Sequence, residues 1–457
     1  MRIILLFFAL VIVVAAKSQD LWAPAGHPGS CAYIQRLYAD TANDALYAGG
    51  ECTFNGTNND NALYKYQDGA WSTIGIFDQS IRSIVNYHDT IIVSGGFSTI
   101  NGQPHESCVY LYDGEWYDYG AFVGSPFHLK ILEDDLYLVG GFIYINDGDT
   151  AKGVAKRVGN HWEAVGRLQD VLPNNSPMVM DIAIFNDEIY ICGNISSTTT
   201  SSDFFKLEGD AWVPAASTGL YGSFAVGNAL EVYQNELYIA GGIHISEGNI
   251  GEGVLKYDGV GSLQPVGTGL QDMDNGQALY VVAEDMEVHD GKLFVGGVFW
   301  HAGNVPAWRM ATWDGNKWCG LGGEIEGRVE TIAFYHDTLF YGSQSNPNVD
   351  GVFTNHMARY LGSTYADTCS LPVGVPTEFT VQEQLVIWQG GGAGTLQISG
   401  FKKGDVLYIH DALGRQVLSL SMMENEHYVT PPLVGGSYIA SRVGKNGRTN
   451  STRFVVF

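Results

Sequence analysis

The chain has 457 residues, with 49 Asp and Glu against 24 Lys and Arg and a formal net charge of −25 at pH 7. That charge repels phosphate backbones and anionic lipid surfaces at long range, which argues against a nucleic-acid partner. Aromatic residues make up 12% of the chain and glycine fills 58 positions against 14 prolines; this is the composition of strands and tight turns, and it excludes a disordered chain.

Residues 1–18 are expected to be a secretory signal peptide. Met1-Arg2 supplies the charge, Ile3 to Val14 the apolar run, and Ala15-Ala16-Lys17-Ser18 the small-residue cleavage region. No later stretch reaches about 18 apolar residues, so no transmembrane segment is expected in the mature chain. Gln19 rather than Cys follows the cleavage point, which argues against a lipid anchor. Export permits disulfides among the six cysteines, none of which has C-x-x-C metal spacing. Cys192, inside Ile189-Tyr190-Ile191-Cys192, reads as a buried free thiol.

Residues 19–370 repeat. An apolar run closing on a glycine pair or its relic recurs at Gly49-Gly50, Gly95-Gly96, Gly140-Gly141, Gly193-Asn194, Gly241-Gly242, Gly296-Gly297 and Gly342-Ser343. The period is near 50 residues, that of one propeller blade. Each run is preceded by a hairpin turn signal: Asn43-Asp44, His88-Asp89, Asp134-Asp135, Asn186-Asp187, Gln234-Asn235, Asp290-Gly291 and His336-Asp337. Downstream come Asp-Gly or a variant and then Trp, as in Tyr66-Gln67-Asp68-Gly69-Ala70-Trp71, Tyr112-Asp113-Gly114-Glu115-Trp116 and Trp313-Asp314-Gly315-Asn316-Lys317-Trp318. Four short strands per unit, seven units and no helical periodicity predict an all-β, seven-bladed β-propeller, in which each small sheet buries its faces against its neighbours. The repeating Trp and Tyr are then structural. Trp22-Ala23-Pro24-Ala25-Gly26 matches a fourth strand and could complete the seventh blade from the N-terminus, in competition with Tyr365. Cys31 enters the first blade and Cys369 leaves the last, so a closed circle predicts a Cys31–Cys369 disulfide, with Cys319–Cys369 the competing pairing.

The glycine pair followed by a third-strand Tyr and fourth-strand Trp resembles the kelch motif, and the fuller pattern is similar to the secreted propellers of Bacteroidetes and the fungal cell-polarity marker propellers. The resemblance covers residues 22 to 370. It implies binding or scaffolding and carries no shared catalytic residue.

Ser370 to Pro376 reads as a linker, placed at 371–380, and 381–457 as a small C-terminal β-sandwich. Tyr408-Ile409-His410-Asp411-Ala412-Leu413-Gly414-Arg415-Gln416-Val417, then Leu433-Val434-Gly435-Gly436-Ser437-Tyr438, then the apolar terminal strand resemble the type A C-terminal sorting domain of the type IX secretion system. The Asn-Pro usual near its start is absent. The resemblance implies outer-membrane secretion machinery as a partner and a secreted or cell-surface location.

No converging set of acids, bases or metal ligands has motif-grade spacing, which favours a binding module over an enzyme. The Asp-Gly-x-Trp units lack the full sialidase Asp-box, and the 12 His are scattered rather than set as copper ligands. No cofactor is called for, with calcium the one candidate, at Asp272 and Asp274 in Asp272-Met273-Asp274-Asn275-Gly276; there the downstream bidentate Glu is missing, and a solvated loop is the other reading. The connections between strands two and three differ most from blade to blade. In blade six this connection carries Trp300, His301 and Trp308, which can stack on sugar rings or on a protein partner's side chains, and His105, His244 and His356 occupy comparable loops. The expected function is presentation of these loops to an extracellular glycan or protein; a hydrolase or lyase acting on polysaccharide is the alternative, marked by three or more carboxylates, His or Tyr over one channel mouth.

Overall fold

A computed structural model describes residues 21–27, 29–54, 57–146, 148–168, 177–195, 203–216, 220, 226–244, 252–271, 273–274, 277–278, 281–345, 348–366, 368–369, 386–389, 395–399, 405–411, 415–421, 428–434, 436–443 and 449–456. The signal segment 1–18 and the linker 371–380 lie outside them. The described chain is all-β, and it divides into two bodies, Met1–Val373 and Gly374–Phe457.

In the first body each sequence repeat becomes one antiparallel meander. Repeat two is the simplest: Ile81–Tyr87, Thr90–Gly95, Cys108–Tyr112 and Glu115–Gly120 pair in chain order. The first strands of the seven repeats are Ser30–Asp40, Ile81–Tyr87, Phe122–Leu132, Met178–Phe185, Gly227–Tyr233, Val282–His289 and Arg328–Tyr335. Each touches the first strand before and after it, and that of repeat seven touches that of repeat one, so the first strands encircle a common axis.

The turn residues do what their chemistry allows. His88-Asp89, Asn186-Asp187, Gln234-Asn235, Asp290-Gly291 and His336-Asp337 all take positive φ at both positions, the two-residue turn whose twist matches that of its strands. In repeat three the pair is Glu133-Asp134, one residue earlier than the sequence signal, and Asp135 opens the second strand.

The recurring Trp laces the repeats together. The indole N–H of Trp116 donates to Ile74 O (3.3 Å), that of Trp162 to Tyr119 O (2.9 Å) and that of Trp212 to Val165 O (2.9 Å), each carbonyl lying three residues after the previous repeat's Trp. Repeat five has Leu263 in this place, and there the Tyr257 hydroxyl donates to Ala215 O (2.7 Å) instead. Gly120 is glycine because a Cβ would sit 2.5 Å from the Trp162 indole nitrogen. Trp22 supplies the missing copy for repeat seven. Trp22–Pro24 pairs antiparallel with Met357–Tyr360, opposite Tyr360, and the Trp22 indole donates to Gly322 O at 2.9 Å. The N-terminal strand therefore completes repeat seven, and Tyr365 stacks beside Tyr360 instead of replacing it.

The expected Cys31–Cys369 disulfide is corrected. Thr368–Cys369 adds to the outer edge of repeat six, where Cys369 lies opposite Cys319, and these two are bonded. The chain leaving repeat seven turns back across its predecessor before it can reach Cys31, which is itself disulfide-bonded. Cys108 and Cys192 are buried free thiols.

The described residues of the second body form two antiparallel sheets. Val386–Gln389, Leu396–Ser399 and Tyr428–Val429 form one; Gln416–Ser421, Val406–Asp411, Gly436–Val443 and Thr449–Val456 form the other, in that order. Ile398 of the first shares a core with Leu407, Ile409, Tyr438 and Ala440 of the second. Within the Asp411…Arg415 motif the guanidinium Nε of Arg415 donates to Asp411 Oδ2 at 2.7 Å, closing the hairpin.

Candidate functional site

Two groups of residues in the first body carry chemistry. One lines the axis. Every first strand is bulged near its start, the register slipping just before Arg36, Ser83, His128, Asp181, Ala229, Asp285 and Thr331. The bulge re-aims side chains toward the next repeat. Ser83 Oγ accepts Leu129 N–H (2.9 Å), Asp181 Oδ2 accepts Leu230 N–H (2.8 Å), Asp285 Oδ2 accepts Ile332 N–H (2.9 Å) and Thr331 Oγ1 accepts Leu37 N–H (3.2 Å). Asn228 Nδ2 donates to Ala283 O at 3.2 Å, and the guanidinium Nε of Arg36 to Arg82 O.

These strands are sharply charged. Arg36, Arg82, His128 and Lys130 come from repeats one to three, where Asp40 at the turn end of its strand is bonded to Asn43 and Asn86, while Asp181, Glu231, Glu284, Asp285, Glu287 and Glu330 come from repeats four to seven, with Arg328 among them. Lys130 Nζ crosses to Asp181 Oδ2 (2.9 Å) and to Leu230 O (2.9 Å), and His128 Nδ1 lies 3.0 Å from Asp181 Oδ1. Burial alone would raise the Asp181 pKa, but Lys130, His128 and the Leu230 N–H outweigh it and hold the carboxyl well below the usual range. Glu287 goes the other way: burial first, then the neighbouring Asp285 and Glu231, push it up to about 8. Glu284 is pushed up to about 7 by burial, although Arg328 pairs with it at 2.6 Å.

A hydrolase would need carboxylates free to meet a substrate. Here most are committed. Asp181 is held by Lys130 and backbone, Glu284 and Glu330 by Arg328 (2.6 and 2.9 Å), and Asp285 by the N–H groups of Met286 (3.0 Å) and Ile332 (2.9 Å). Sequence reading missed this group. Its signal was a polar residue standing in an apolar strand five places before the turn, as Asp181 stands before Asn186 and Asp285 before Asp290.

The other group is the connection between strands two and three of repeat six. It folds as a small sheet of Leu270–Gln271, His301–Ala302 and Val305–Pro306. The Trp300 N–H donates to Gln271 O (2.9 Å), and the N–H groups of Ala307 and Trp308 return to Trp300 O (2.8 and 3.2 Å). This brings the half-buried Trp300 and Trp308 rings to 4.7 Å between centroids at 47°, with the Arg309 guanidinium 5.6 Å over Trp300. Trp308 and Arg309 both hold positive φ, 45° and 75°, the left-handed region that bulky residues avoid.

The other sequence-predicted residues occupy the same connection in other repeats. His105 Nδ1 is 3.0 Å from Asp118 Oδ1. His244 is half-buried, three residues past the end of the second strand of repeat five, Glu236–Gly241. His356 is buried, its carbonyl accepts Ser343 N–H at 2.8 Å, and burial followed by the nearby His27 lowers its pKa, so it serves its own repeat. Asp272 lies outside the described residues; Met273–Asp274 pairs with Gln277–Ala278. Among the described residues no three His, Cys, Asp or Glu side chains are grouped to hold a metal ion. No helix among them is long and apolar enough to cross a membrane.

No protein-family model matches the sequence, and no curated protein matches it. Solved structures with some likeness include PorZ, a bacterial surface component of the type-IX secretion system of Porphyromonas gingivalis (11% identity, TM-score 0.43, 95% of this chain and 60% of that one). The chain thus spans about three fifths of the length of PorZ. Others are GH43B of the Bacteroides ovatus xyloglucan PUL (11% identity, TM-score 0.27, 94% of this chain and 90% of that one) and the β-fructofuranosidase of Schwanniomyces occidentalis (10% identity, TM-score 0.24, 96% of this chain and 92% of that one). Likeness at this level carries no function across.

Proposed function

We propose that the first body is a seven-bladed, kelch-like β-propeller that works outside the cell as a binding module, and that residues 381–457 are its type IX sorting domain. The observation that carries the binding role is the Trp300–Trp308 pair. Two large, half-buried rings sit 4.7 Å apart on a connection that holds two consecutive residues in a costly backbone conformation. Such a platform stacks on the C–H face of a sugar ring, and Arg309 beside it offers hydrogen bonds to hydroxyls or carboxylates. The ligand class is therefore a glycan of the cell's surroundings.

Screening the secreted protein on a glycan array, followed by titration of the best ligand against Trp300→Ala and Trp308→Ala, tests this. A loss of tenfold or more in affinity for each variant, with thermal stability kept, is the expected result. Unchanged affinity in both would remove the site.

The polysaccharide-hydrolase reading draws on one observation, the raised Glu284 and Glu287 beside Asp285 on the axis. The structural commitments of Asp285 and Glu284 count against it. Release of reducing sugar from polysaccharide by the wild type, lost in Glu287→Gln, would restore it.

A further inference from the structure

A second feature of the first body lies where repeat seven meets repeat one. A cavity of about 150 Å³ opens between repeats seven and one, lined by Tyr66, Trp71, Tyr335, His336, Thr338 and Arg359 among others. Trp71 is fixed there, its indole N–H bonded to Ala25 O at 3.1 Å, with Tyr66 5.1 Å from it and Tyr335 in turn 6.0 Å from Tyr66. Among the described residues no Asp or Glu is in the cavity wall, and the Asp44 carboxylate stands behind it, accepting from the Tyr335 hydroxyl (2.9 Å) and lying 2.5 Å from His336 Nε2.

Arg359 brings a positive charge to this cavity. It stands on the third strand of repeat seven, opposite Phe340. The same register position holds Lys65 opposite Tyr47 in repeat one, where Ala45 opens the second strand, and Lys156 opposite Tyr137, Lys206 opposite Tyr190 and Lys256 opposite Tyr238 in repeats three to five. In those three repeats the residue that opens the second strand is an acid, and it neutralises the cation: Asp135 with Lys156 (2.6 Å), Glu188 with Lys206 (3.4 Å) and Glu236 with Lys256 (2.8 Å). In repeat seven the opening residue is Thr338, which lines the cavity, and among the described residues Arg359 has no ion-pair partner. The repeat has kept the cation and dropped its counter-charge, in a chain with a net charge of −25.

From the aromatic wall, the uncompensated guanidinium and the polar groups of Thr338 and His336 we infer that this seam pocket binds a ring-bearing monocarboxylate of the uronic acid class. The pyranose face lies against Trp71 and Tyr66, the carboxylate takes the two parallel donors of Arg359, and the ring hydroxyls meet Thr338 and His336. The site is independent of the Trp300–Trp308 platform.

Calorimetric titration of the full secreted chain with sodium glucuronate tests it, with glucose as the uncharged control. Saturable glucuronate binding is expected, at least tenfold weaker for glucose. Thr338→Glu, which installs the acid that repeats three to five carry, and Arg359→Gln each weaken it tenfold or more, while Arg359→Lys retains part of it. Absence of saturation by about 10 mM glucuronate, equal binding of glucose, or indifference to Thr338→Glu and Arg359→Gln in folded protein would each overturn the assignment.

Discussion

The Asp181 carboxylate accepts the backbone N–H of Leu230 from repeat five at 2.8 Å while it holds Lys130 of repeat three at 2.9 Å. One buried side chain of repeat four thus joins three consecutive repeats where their first strands converge.

Removing that carboxylate leaves Lys130 near the axis without its counter-ion. Asp181→Ala is expected to cost about 3–5 kcal/mol of stability, read as a lower denaturant midpoint, and Asp181→Asn, which keeps one acceptor, less. Because the folded-state pKa of Asp181 is depressed, its contribution is complete above the unfolded value of about 3.9 and is lost as pH falls through that value toward the folded one. Acid titrations of wild type and Asp181→Asn should therefore converge at low pH.

Glu287 predicts the opposite slope. Its pKa is raised to about 8 in the fold, so between the unfolded value, about 4.3, and 8 the folded state binds more protons than the unfolded and stability declines as pH rises. Glu287→Gln should melt with the wild type at pH 4 and a few °C above it at pH 8–9, on the order of what 1–2 kcal/mol produces in a domain of this size. Identical melting at both pH values would show that Glu287 titrates normally.

Trp22 closes the circle. It is 5% exposed, its ring meets Tyr341 and Tyr360 edge-on at 5.1 and 5.0 Å, and its indole bonds Gly322 O. Trp22→Ala is expected to lower stability by about 3–5 kcal/mol, and Trp22→Phe, which fills most of the space but lacks the N–H, by roughly 1–2 kcal/mol. Equilibrium unfolding in urea separates the two.

The Cys319–Cys369 bond spans 50 residues. Chain-entropy reasoning makes the loss on Cys369→Ser about 4 kcal/mol. Peptide mapping without reduction should recover this pair, with Cys108 and Cys192 alkylated only after unfolding, as their burial requires.

What the sequence determined by itself was local and periodic. Tight turns depend on the few residues that form them, so His88-Asp89 or Asp290-Gly291 could be read without knowing what lay across the ring, and the recurring glycines and Trp marked the chain as all-β and repeating. The tertiary structure decided whatever depends on which residues meet. Cys369 finds Cys319 because the exit strand adds to repeat six; Trp22 reaches Tyr360 across more than three hundred positions; the charges of the first strands, unremarkable one by one, become a basic arc facing an acidic one only when the strands surround an axis. Arg359 is the same case in small, since no pattern in its own repeat reveals that Thr338 stands where three other repeats place an acid until strand register sets the two positions side by side. Electrostatic and covalent partnerships act through space, and chain order fixes them only by way of the fold.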